Sequence, residues 1–153
     1  MNRVLLDSSS AGAAGGVQGP RLQRLARKFL KRLELDGCEL SLSLVKDRQI
    51  RAVNKEWRGK DSATDVLSFP AGAMTGPGLR QLGDVVISVE TAQRAAAQFE
   101  STFERELSLY LAHGLLHLLG YGHDTPSSAR KMQRQEVFLL GDRGMLSRSD
   151  EVD

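Results

Sequence analysis

Histidine placement constrains this 153-residue chain more than any other feature. The sequence holds three histidines, and all of them fall within residues 113–123, HGLLHLLGYGH. His113 and His117 stand four apart, which on an α-helix stacks both imidazoles on one face. Gly120 then supplies a residue able to turn the backbone out of the helix, so that His123 can swing back toward the same point. A lone histidine beside Leu115, Leu116, Leu118 and Leu119 would read as a satisfied core residue. Three of them in so apolar a stretch leave several ring nitrogens in need of partners, and a metal satisfies them together. Three neutral imidazoles with a fourth position open describe a catalytic rather than a structural zinc site.

The length predicts a single domain over residues 1–153. With 41% hydrophobic and 26% charged residues the composition is that of a globular protein rather than a disordered one. Cys38, the one cysteine, excludes an internal disulfide, fits a reducing compartment and reads as a small buried side chain. No apolar run reaches bilayer length, and residues at the start show no basic segment followed by an apolar one. The expectation is a cytoplasmic protein with no membrane partner. Net charge is +2, but residues 1–60 carry thirteen Lys/Arg against six Asp/Glu, and residues 61–153 carry eight against thirteen. Such asymmetry points to a basic surface for an anionic partner.

Taken in order, residues 3–6 read as a short strand and residues 8–19, rich in Ser, Gly and Ala, as a flexible loop. A helix is predicted from Pro20, with Leu22, Leu25, Ala26, Phe29, Leu30 and Leu33 as its buried stripe. Its other face carries Arg21, Arg24, Arg27, Lys28, Lys31 and Arg32, either a solvated face or a grip for phosphates. Residues 39–45 alternate with period two, as a half-buried strand does. Asp47 is placed as the cap of a helix through Trp57, with Ile50, Val53 and Trp57 facing inward. Residues 64–69 read as a strand, 71–81 as a mobile connection, and 83–89 as a central strand of nearly continuous apolar character. Helices follow over about 88–99, 102–119 and 125–140, with Ser101 and Glu104 placed as a capping box. The tail near 145–153 is polar and expected to fray. The fold class is therefore α+β, a small mixed sheet of about four strands packed with about five helices.

The spacing H-x-x-x-H-x-x-G-x-x-H is that of the metzincin proteases. Those enzymes place glutamate directly after the first histidine as general base. Here that position is Gly114, which cannot take a proton. The three-histidine cradle survives while the peptide-cleaving base is missing.

With WRGKDSATDVLSF, LGDVVIS and the later KMQRQE, the segment HGLLHLLGYGHD resembles the YbeY-type bacterial endoribonucleases. The resemblance covers most of residues 54–140. Gly122 stands where members commonly carry aspartate, and Ala63 where they carry proline. The resemblance implies a zincin-like fold and a zinc-dependent, single-strand-specific endoribonuclease acting in 16S rRNA 3′-end maturation and ribosome quality control. It implies His113, His117 and His123 as ligands of one Zn2+ per chain, and Arg58 and His113 as catalytic residues. Single-stranded RNA, small-subunit rRNA and the ribosome become the expected partners. Another divalent metal such as Ni2+ would also suit three imidazoles.

A planar guanidinium at Arg58 could clamp two phosphate oxygens as charge develops on them. The competing reading makes Arg58 a surface residue or a partner of Asp61 or Asp65. Asp65, Ser68 and Asp84 read equally as orienting groups or as caps and turns, and Met132 as a core residue. With few aromatics, recognition is expected through phosphates and shape rather than base stacking, with the basic face of residues 21–32 as a candidate track. Two alternatives stay open: a metalloprotease-like hydrolase, and a non-catalytic ribosome-assembly module with a structural metal.

Overall fold

The computed structural model describes residues 1–72 and 78–141. In chain order the elements are β1 (Arg3–Asp7), a 3-10 turn (Ser9–Ala11), α1 (Ala13–Arg32), β2 (Cys38–Val45), α2 (Asp47–Arg58), β3 (Val66–Pro70), β4 (Arg80–Ser88), α3 (Val89–Gln98), α4 (Phe103–Leu118) and α5 (Pro126–Leu140). The strands form one sheet in the order β1-β2-β4-β3. β1, β2 and β4 run parallel, and β3 is antiparallel to β4. This is the expected α+β architecture, four mixed strands with five helices among the described residues. An antiparallel edge strand beside the helix bearing the paired histidines fits the zincin-like arrangement. No helix among the described residues is long and apolar enough to cross a membrane.

Period-two alternation positions the sheet. Cys38, Leu40, Leu42 and Leu44 of β2 are buried, and the residues between them are half-buried. β4 lies between β2 and β3 and buries Val85 and Ile87 completely, as a nearly continuous apolar strand should. Helix α4 packs on β3 and β4 and against α1, α3 and α5. Its Leu107, Leu111, Leu115 and Leu116 join the same core, and each contributes about 1.5–3 kcal/mol by leaving water. The histidines of α4 are thus carried on a firmly anchored helix.

Four expectations are corrected. Residues 8–19 are not a flexible loop: they hold the 3-10 turn and the start of α1, which begins at Ala13 rather than Pro20. Gly15 and Gly19 lie one turn apart and let the helix press onto the end of β1 and the residue that follows it. A Cβ at Gly15 would stand 2.7 Å from the Ser8 carbonyl oxygen, and one at Gly19 would stand 2.9 Å from Leu6 Cδ2. Glycine here serves close packing, and α1 runs on through Pro20.

Trp57 does not face inward; it is 68% exposed. The buried stripe of α2 runs through Ile50 and Asn54, and Asn54 Nδ2 donates to the Ser62 carbonyl at 2.9 Å. Asp47 is the first residue of α2 rather than its cap. The α4 cap is Thr102, not Ser101: Thr102 is extended and its hydroxyl accepts from Arg105 N–H at 3.1 Å, the geometry an N-cap requires. Thr125 caps α5 in the same way, with Pro126 in the first turn. The tail near 145–153 and residues 73–77 of the expected connection lie outside the described residues.

Candidate metal centre and adjoining cleft

Helix α4 ends at Leu118 in a Schellman motif. Gly120 N–H donates to the His117 carbonyl and Tyr121 N–H to the Leu116 carbonyl, with Gly120 at φ +97°, a conformation that favours glycine. The chain turns back, and His123 meets the two helical histidines. His113 and His123 rings stack with centroids 5.2 Å apart, and His113 and His117 centroids are 4.6 Å apart. One ligand atom from each of the three residues lies within 4.8 Å of the others.

These residues could hold a metal. His113 Nε2 and His117 Nε2 approach to 3.0 Å, close to the roughly 3.3 Å that two nitrogens at ordinary tetrahedral zinc distances would keep. Two N–H groups could not face each other there, so at least one ring presents a lone pair. Burial first, and then the neighbouring His113 and His123 rings, push the His117 imidazole down to about 4, leaving it neutral and able to ligate near pH 7.

On the far side of the His113 ring, Nδ1 lies 3.5 Å from Glu136 Oε1 of α5. Glu136 is 2% exposed, and its Oε1 has no hydrogen-bond partner among the described residues. A carboxylate so placed could accept from Nδ1–H if the two closed slightly, which would turn Nε2 toward the cluster. Sequence reasoning did not single out Glu136. The available signal was a glutamate midway between Met132 and Leu139 on the face of α5 that is buried.

A cleft of about 570 Å³ adjoins the cluster, within the range of ordinary ligand sites. His113 and His117 form one wall, Val66, Ser68, Phe69 and Pro70 of the edge strand another, and Trp57 and Arg58 close it from the end of α2. Arg58 therefore reaches the same cleft as the histidines. Asp61 is held by Arg51 at 2.8 Å. Asp65 Oδ1 accepts from its neighbour's backbone, Val66 N–H, at 2.7 Å and from Thr64 Oγ1 at 3.2 Å, a capping role. Among the described residues neither carboxylate pairs with Arg58. Asp84 is exposed and does not line the cleft, and Met132 is a core residue.

Ser68 Oγ donates to the Gly114 carbonyl at 2.8 Å, pinning α4 to β3 beside the cluster. A Cβ at Gly114 would lie 2.8 Å from Val85 Cγ1, 3.0 Å from Val66 Cγ2 and 3.1 Å from Ser68 Oγ. The position that holds the base in the proteases faces the sheet here and has no room for it. The basic face of α1 lies elsewhere: α1 packs over β1, at the sheet edge opposite β3. Arg21 is spent on Gln18, Ser108 and the Glu104 carbonyl, and Arg32 on the Leu139 carbonyl.

The chain is thus an α+β protein whose mixed sheet carries a three-histidine cluster able to hold a metal, beside a cleft that also receives a guanidinium. The chain belongs to the YbeY endoribonuclease family, whose sequence pattern matches residues 14–143. It is 58% identical over 130 residues to an endoribonuclease YbeY of Myxococcus xanthus, covering 84% of this chain and 44% of that protein. It is 50% identical over 138 residues to one from Anaeromyxobacter sp. strain Fw109-5, covering 90% and 71%. The chain thus spans less than half the length of the Myxococcus relative. The solution structure of Thermotoga maritima TM1509 shares the fold with a TM-score of 0.52 at 24% identity, over 98% of this chain and 95% of that one.

Proposed function

We propose that this chain is a zinc-dependent, single-strand-specific endoribonuclease of the cytoplasm, acting in 16S rRNA 3′-end maturation and ribosome quality control. The observation that carries this reading is the meeting of His113, His117 and Arg58 in one cleft, in a chain whose relatives are named endoribonucleases. Zinc, or nickel in its stead, held by His113, His117 and His123 would supply Lewis-acid polarisation of a phosphodiester. Arg58 offers paired N–H donors to two phosphate oxygens and meets the negative charge that gathers on them. Glu136 keeps His113 in the tautomer whose Nε2 faces the site. Gly114 offers no base, so the nucleophile, water or the neighbouring ribose 2′-hydroxyl, is activated without a glutamate at that position. A single strand can bend to the in-line geometry that a duplex resists.

The test is cleavage of single-stranded against duplex RNA by zinc-loaded parent, His113→Ala and Arg58→Ala. The single strand alone should be cut, with activity abolished by the first substitution and reduced about 100-fold or more by the second. Equal cleavage by all three forms would mean a contaminating nuclease. Casein digestion that depends on His117 would put a protease in its place.

A further inference from the structure

Trp57 has no role in the chemistry above, yet it stands in the cleft. It is the chain's one tryptophan and is 68% exposed. Other large apolar side chains are exposed too, but Leu5, Val17, Phe99 and Phe138 do not line this cleft. An indole left in water forfeits one of the largest apolar burials a side chain can make. The neighbouring residue is Arg58, and both belong to the last turn of α2 before the left-handed Gly59 cap. Successive helical side chains diverge by about 100°, so one can meet a phosphate while the other meets the base attached to it. Phe69, half-buried on β3, lines the same cleft.

We propose that the Trp57 indole is a stacking platform for one unpaired nucleobase of a strand whose phosphate Arg58 holds. This rests on the endoribonuclease reading and adds to it a cause for single-strand selectivity. In a duplex both faces of every base are already covered by neighbours, and the indole has nothing to stack on. In a single strand a base can be splayed out onto it, and stacking tolerates any base because each has a π-face. One aromatic beside a guanidinium is enough; no broad platform is needed.

Because the chain has a single tryptophan, its emission reports on this residue alone. The full-length zinc-loaded protein is mixed rapidly, ahead of turnover, with single-stranded RNA, with the same RNA as a duplex, and with single strands carrying one abasic nucleotide at successive positions. Single strands should quench the emission, duplexes should not, and an abasic nucleotide at one position should remove the quench. Trp57→Ala should raise KM about ten-fold with kcat little changed, and Trp57→Phe should stay near the parent. Unchanged thermal melting shows that neither variant acts through folding.

If RNA is cleaved in a His113-dependent way while emission stays unchanged, or while Trp57→Ala keeps the parent KM, stacking is refuted and the nuclease reading stands. Equal quenching by duplex and single strand refutes it as well, since the indole would then sense backbone rather than base. If no RNA is bound or cleaved by any form, the nuclease reading fails and this inference fails with it.

Discussion

The Glu136 carboxylate on α5 lies 3.5 Å from Nδ1 of His113 on α4, in a position only 2% exposed. A buried charge is costly unless something compensates it, and the imidazole Nδ1–H is the donor at hand. A carboxylate in this place would orient the His113 imidazole rather than stabilise the fold. Glu136→Gln keeps the shape and loses the charge. It should weaken zinc affinity by about 10–100-fold, measured by competition with a chromogenic chelator. Melting of the metal-free protein should hold or rise. Unchanged zinc affinity would remove Glu136 from the site.

Gly114→Ala tests the contact between α4 and the sheet. Alanine favours a helix over glycine by about 1 kcal/mol, so propensity alone predicts a gain. The added Cβ would lie 2.8 Å from Val85 Cγ1, with Val66 and Ser68 nearly as close. Overpacking of this kind costs about 1–3 kcal/mol and wins. Denaturant unfolding should show a net loss of stability, with weaker zinc binding as the histidines shift. A stabilised variant would show that the gap between helix and sheet opens freely.

Asp47 ties the start of α2 to α3. Its Oδ1 accepts from Ser88 Oγ and Thr91 Oγ1, both at 2.7 Å, and its Oδ2 pairs with Arg94 at 2.6 Å. Burial acts to raise this carboxyl, but the bonds from Arg94, Ser88 and Thr91 together outweigh it and hold it below the usual range. A depressed carboxyl contributes stability that is fully present above the unfolded value, near 3.9, and lost as pH falls through the folded value. Asp47→Asn should cost about 1–2 kcal/mol at neutral pH. That deficit should shrink as urea unfolding is repeated at progressively more acid pH. A deficit independent of pH would mean that shape, not charge, holds the two helices.

The histidine cluster was legible in the sequence because its parts are local: a four-residue spacing, then a glycine that turns the chain. The sheet was legible through alternation in β2 and the apolar run of β4. What escaped depends on tertiary neighbours. Gly15 and Gly19 signal looseness by composition, yet their lack of a Cβ is what lets α1 touch Ser8 and Leu6. Hydrophobicity alone puts Trp57 inside, although the stripe that α2 buries passes through Ile50 and Asn54. Glu136 escaped because its importance comes from a ring on another helix.

The packing around Gly114 also bears on how this site can evolve or be redesigned. Glutamate at 114 is the single change that would restore the protease base. Its Cβ alone would push Val85 aside and press on Val66 and Ser68, which crowd that position. Trimming Ser68 would in turn release the bond that pins the Gly114 carbonyl. A glutamate at this position thus comes with a strained helix–sheet contact, and an engineer who wants it there must rebuild β3 and β4 before touching the helix.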